Sequence, residues 1–149
     1  MSTNSVSFHR VIKASPEKVY KAFTDVLALA SWLPPYGFLC TVHKHEPKVG
    51  GSYHMSFTNF STGSSHSFGG TYKELVAGKF LKYSDKFDDP NMPGEMTTSV
   101  ILNKVLVGTE IKITQEGIPA MIPAEMCYLG WQESLEKLIK LVEPVIPDA

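Results

Sequence analysis

The chain has 149 residues, 43% of them apolar and 19% charged, and a formal charge of -1. A domain of about 150 residues buries roughly 70% of its unfolded surface, so one core suffices and neither a metal nor a disulfide is required for folding. Of the 14 basic residues only Arg10 is an arginine, which leaves no array of guanidinium forks for phosphate or base recognition and argues against nucleic-acid binding.

In chain order, Ser5–Lys13 alternates, with Val6, Phe8 and Arg10 on one side and Ser5, Ser7 and His9 on the other, as a half-buried strand does. Met1–Asn4 before it reads as a short frayed end. The period then changes. Ser15 can cap a helix that Pro16 opens, Glu17 suits its positive end, and Val19, Ala22, Phe23, Val26 and Leu27 recur at helical spacing. A second short helix is predicted over Leu27–Trp32, stopped by Pro34-Pro35 because neither proline donates an amide. An aromatic loop, Trp32–Phe38, follows. Strands are predicted near Cys40–Glu46, Ser52–Phe57, Phe68–Leu75, Lys79–Phe87, Glu95–Leu106 and Thr109–Glu116, separated by turn signals such as Gly50-Gly51, Ala77-Gly78 and Val107-Gly108.

From Pro123 the pattern is a long helix. Ala124, Cys127, Tyr128, Trp131, Leu135, Leu138 and Val142 share one face, with Glu133, Glu136, Lys137 and Lys140 opposite. The pairs Glu133/Lys137 and Glu136/Lys140 have acid before base at four-residue spacing, about 0.3 kcal/mol each, and Pro144 ends the helix. The order predicts an α+β protein over residues 1–149: a strand, two small helices, six strands, and a terminal helix gripped by a curved antiparallel sheet. A helix laid across such a sheet readily leaves an internal cavity.

Several segments resemble a known family. They are Arg10–Asp25 (RVIKASPEKVYKAFTD), Trp32, Val49-Gly50-Gly51-Ser52-Tyr53, Gly70–Leu75 (GTYKEL), Gly108-Thr109-Glu110-Ile111, and Gly130-Trp131 followed by Leu135 and Leu138. In order and spacing they resemble the activator of 90-kDa heat shock protein ATPase homologue 1-like family, within the START and Bet v 1-like helix-grip superfamily. The resemblance implies that fold around a mostly apolar cavity, and no single activity. Relatives include lipid and hormone carriers, polyketide aromatase/cyclases, antibiotic-protection proteins and a co-chaperone domain. This chain departs from many relatives in having Ser61–His66 where they place an Asp-Gly turn. It also has no room for the N-terminal domain on which the eukaryotic co-chaperone activity draws.

The candidate ligand-binding residues are large and face inward by alternation: Tyr53, Met55 and Phe57, Phe68 with Tyr72, Tyr83 with Phe87, and Met96 with Val100. Tyr128, Trp131 and Leu135 would face them from the helix, and Trp32, Tyr36 and Phe38 would guard the entrance. An ordinary packed core is the plain alternative. Tyr53, Tyr72, Tyr83 and Tyr128 bring hydroxyls that either orient a phenolic or carboxyl-bearing ligand or bond each other, water or backbone.

His43 and His45 fall on one side of a strand with His54 on the next, which suggests a three-histidine metal site or, more simply, solvent-facing imidazoles. Asp85, Asp88 and Asp89 read as a solvated turn. Cys40 and Cys127 read as free thiols, so no cofactor is called for. No nucleophile–base pair, carboxylate pair or phosphate loop stands out, although Glu74 or Asp85 near a tyrosine would serve acid–base chemistry. No apolar run approaches the roughly 20 residues of a membrane span, and no export signal opens the chain. A cytoplasmic protein without stable membrane insertion is expected.

Three functions fit this pattern. The first is binding of a small hydrophobic or aromatic molecule. The second is a co-chaperone-like module for a chaperone or other protein, using Trp32–Phe38. The third is a cyclase-like enzyme, which requires an acid or base of perturbed pKa inside the cavity.

Overall fold

The structure, a computed structural model, describes residues 3–148. Met1 and Ser2, expected to fray, lie outside the described residues. Thr3 and Asn4 already belong to β1 (Thr3–Ile12), and the Asn4 amide donates to the Ile122 carbonyl at 3.3 Å.

After β1, the Ser15 hydroxyl accepts the Lys18 amide at 3.2 Å and caps α1 (Pro16–Thr24), with Pro16 in its first turn. This helix is shorter than its apolar spacing predicts. Asp25 takes an extended conformation, φ -91° and ψ 126°, and its carboxylate accepts the Ala28 amide at 3.0 Å, which caps α2 (Val26–Trp32). Val26 and Leu27 therefore open α2 instead of prolonging the buried stripe of α1, and Leu27 is 80% exposed.

Six further strands form a meander: β2 (Phe38–His45), β3 (Ser52–Asn59), β4 (Ser65–Val76), β5 (Phe80–Phe87), β6 (Met96–Val105) and β7 (Gly108–Pro119). All seven strands lie in one antiparallel sheet of order β1-β7-β6-β5-β4-β3-β2, so β1 and β2 are its edges. Register shifts at Val42/Lys44 and at Tyr72/Glu74 mark bulges, which bend strands and raise their twist. At Gly70 the neighbouring strand approaches closely, because a Cβ there would collide with the Ser84 carbonyl oxygen.

The terminal helix α3 (Ala124–Val142) anchors by its C-terminal half. Leu135, Leu138 and Val142 are fully buried with Ile12, Val19, Phe23 and Ile111. A second cluster, Tyr53, Met55, Phe68 and Tyr72, sits in the far arm of the sheet, and Leu33, Leu75, Tyr83 and Phe87 touch both clusters. The α3 charges do not pair as spaced. Glu133 accepts the Tyr36 amide at 3.2 Å, Glu136 accepts the Tyr36 hydroxyl at 2.7 Å, and Lys137 donates to the Pro34 carbonyl at 2.8 Å. Among the described residues, neither expected ion pair forms. No described helix is long and apolar enough to cross a membrane.

Replacing the cap between the two short helices, Asp25→Ala, is expected to cost about 1 kcal/mol. Urea denaturation measures this, with the midpoint moving and the slope unchanged.

Candidate functional site

The two clusters are joined only through the partly buried Leu33, Leu75, Tyr83 and Phe87. Between them lies a cavity of about 890 Å³, roofed by α3 and floored by the concave face of the sheet. Strand alternation supplies the floor: Tyr53, Met55 and Phe57 from β3, Phe68 and Tyr72 from β4, Tyr83, Asp85 and Phe87 from β5, and Met96 and Thr98 from β6. From α3 come Cys127, Gly130, Trp131 and Ser134, and from the short helices and their loop Phe23, Leu29, Leu33 and Pro35. Phe38 closes one side. The exposed members, Ser65, His66, Asp88, Asp89 and Met126, mark the mouth.

Four expected residues stand apart from this lining. Trp32 is wholly buried under α1, its ring edge-on to Phe23 at 4.8 Å and its indole N–H donating to the Ala22 carbonyl at 2.8 Å. It is core and does not guard an entrance. Tyr36 is on the surface, held by Glu136. Tyr128 turns toward the β1 edge and stacks on Phe8 with centroids 4.7 Å apart. Leu135 packs in the core where α3 meets the other helices. For Tyr128 and Leu135 the reason is that one helical stripe does not make one surface, since α3 changes neighbours along its length.

A row of polar side chains crosses the floor in register. Tyr72 pairs with Tyr83, Tyr83 with Thr98, and Thr98 with Gln115, whose amide oxygen accepts the Trp131 indole N–H at 3.1 Å. Tyr53 donates to the Ser84 carbonyl at 2.7 Å, and Tyr72 shares a 3.0 Å hydrogen bond with His45. Burial holds all three tyrosine hydroxyls neutral, pushing Tyr72 up to about 12 and Tyr53 and Tyr83 well above the usual value.

The bulge at Val42/Lys44 also separates the histidines. His43 bonds the Ser56 hydroxyl at 2.7 Å and stacks near His54 on the outer face, while His45 turns inward to Tyr72. Among the described residues no three His, Cys, Asp or Glu side chains converge as metal ligands. His54 instead meets Asp88 at 2.6 Å.

Asp85 is not part of a turn. It lies within β5 between Tyr83 and Phe87 and lines the cavity. Burial raises its pKa from 3.8 to about 7, against the opposing pull of the nearby Tyr53 hydroxyl and Lys86 amide. Its Oδ1 and the Thr98 hydroxyl oxygen are buried with no hydrogen-bond partner.

The activator of Hsp90 ATPase homolog 1-like protein model matches residues 13–143. The chain belongs to this family. A solved protein from Chromobacterium violaceum is 53% identical, covering 95% of this chain and 99% of its own, with a TM-score of 0.94. A Rhodobacter sphaeroides protein (23% identity, 92% and 90% covered, TM-score 0.82) and an AHSA1-like protein from Aeromonas hydrophila (20%, 94% and 92%, TM-score 0.77) share the fold. No curated protein matches the chain significantly.

In this family member, alternation alone would have placed Asp85 and Thr98 inward, since each sits between residues expected to face the cavity. Cys127 falls on the apolar stripe of the terminal helix, whereas Gln115 and Ser134 carry no such signal. The raised Asp85 pKa has a stability consequence. The folded state binds the proton more tightly than the unfolded chain, so this group's contribution is fully present below the ordinary carboxyl pKa and is lost as pH rises through about 7. Asp85→Asn is expected to flatten that decline and raise stability at alkaline pH by at most about 4 kcal/mol, measured by denaturation across pH.

Proposed function

We propose that this protein holds a small hydrophobic or aromatic molecule between the concave sheet and the N-terminal half of α3, in the cytoplasm and without chemical turnover. The cavity itself carries the reading. Its volume of about 890 Å³ falls within the roughly 300–1,000 Å³ of small-molecule sites, and aromatic and methionine side chains dominate its wall. Phe38, Tyr53, Met55, Phe57, Phe68, Tyr72, Tyr83, Phe87, Met96 and Trp131 would make the contacts. Trp32 and Leu135 would support the frame, with Tyr36 and Tyr128 outside it.

The co-chaperone-like alternative draws on the loop after α2, where Trp32 is buried and the Tyr36 hydroxyl is bound to Glu136. Trp32 is therefore closed to a protein partner, and the apolar surface left around the loop is that of Leu27, Tyr36 and Leu39. The cyclase-like alternative is favoured by one observation, a cavity carboxyl with a pKa near 7, which suits general acid–base work. Incubation with polyketide-like aromatics followed by mass spectrometry tests it, and recovery of every compound unchanged would count against it.

For the binding function, a thermal-shift screen of fatty acids, sterols, flavonoids and polyketide-like aromatics should show stabilisation that grows with concentration. Trp131→Ala removes part of the roof and should weaken binding of any hit at least about tenfold, or ~1.4 kcal/mol. Circular dichroism checks that the variant is folded. Unchanged affinity in a folded Trp131→Ala protein would overturn the assignment.

A further inference from the structure

We infer that the preferred guest is a hydrophobic molecule bearing a basic nitrogen, its ammonium set against Asp85 among the tyrosine rings; this rests on the cavity-binding function proposed above. Among the described residues, every charged side chain on the lining is acidic: Asp85, Asp88 and Asp89. No lysine or arginine contributes, and partial desolvation of His66 at the mouth lowers its pKa and so disfavours the cationic imidazolium. A carboxylate guest would find no countercharge and would meet three like charges.

The three acids are not equivalent. At the mouth, Asp88 is engaged by His54 at 2.6 Å, and the Asp89 carboxylate accepts the Asn91 amide at 2.9 Å. Asp85 lies deeper, with Oδ1 buried and unpartnered, and the Thr98 hydroxyl on the neighbouring strand is in the same condition. A neutral hydrocarbon guest would remove water from Asp85 and leave its carboxylate without a countercharge, which is unfavourable. An ammonium supplies both the donor and the countercharge.

The surrounding surface suits a cation as well. The rings of Tyr53, Tyr72 and Tyr83 form a connected wall, with centroids 5.6 Å apart for Tyr53 and Tyr72 and 6.0 Å for Tyr53 and Tyr83. Their hydroxyls stay neutral, and the faces of such rings attract cations most strongly where water is excluded. A carboxylate beside aromatic faces recognises an organic ammonium, while the wider apolar cavity takes its hydrocarbon body.

Three probes of nearly equal shape separate charge from bulk: naphthylmethylamine, naphthylmethanol and naphthoic acid, titrated calorimetrically in mildly alkaline buffer. The amine should bind at least about tenfold more tightly than the alcohol, with the acid weakest. Asp85→Asn, which keeps the side-chain shape, should abolish the preference for the amine over the alcohol.

Equal binding of the three probes, or an amine preference that survives Asp85→Asn, overturns this inference and leaves cavity binding standing. No binding by any probe overturns it too, and a blank library screen alongside would then overturn cavity binding. Were Asp85→Asn to fail to fold, the ranking of the probes on the natural chain decides alone.

Discussion

Leu135, Leu138 and Val142 bury the C-terminal half of α3 in the main core, while the Ser134 hydroxyl and the Lys137 ammonium donate to the carbonyls of Leu33 and Pro34 at 2.6 and 2.8 Å. Each buried aliphatic side chain contributes about 1.5–3 kcal/mol, so this end of the helix is fixed. The N-terminal half then projects over a sheet bent by the bulges at Val42/Lys44 and Tyr72/Glu74. Trp131 spans part of the gap by reaching Gln115. What remains unfilled is the cavity, and it follows from holding a straight helix at one end against a strongly curved surface.

That geometry puts polar groups where water is scarce. Most find partners, as Tyr53 does with the Ser84 carbonyl and Tyr72 with His45. Asp85 Oδ1 and the Thr98 hydroxyl do not, and a buried unsatisfied group costs about 1–3 kcal/mol. Protein interiors rarely keep such groups without reason. Here they lie on adjacent strands at the wall of one cavity, where Asp85 keeps partial exposure and Thr98 is fully buried behind it.

The fold was legible because each level of the sequence agreed. Ser15-Pro16, the prolines after Trp32, the turn glycines and the switch between period-two and helical spacing together order the elements, and the family resemblance fits the same order. Errors arose where one side chain redirected the backbone or one element met two environments. Asp25 splits what reads as a continuous apolar stripe. The bulge after Val42 places His43 and His45 on opposite faces although two-residue spacing puts them together. Tyr128 and Trp131 share a helical face on paper, yet the first packs on Phe8 and the second on Gln115. Alternation held on the sheet floor, and it pointed to Asp85 and Thr98 as surely as to their aromatic neighbours. The polarity of Asp85 suggests a solvated turn, so burial of an acidic group is the unexpected element. No periodicity in a sequence reveals whether a core is filled, because that depends on a few ångströms of sheet curvature.

The most direct measurement is therefore of the space itself: a crystal structure of the purified protein determined under xenon pressure. Xenon enters apolar cavities that stay open. Xenon density or a retained molecule between Trp131, Phe68 and Tyr83 is the result expected, with α3 held as described. Side chains packed into that volume, with no site for the gas, would contradict the cavity and every function built on it.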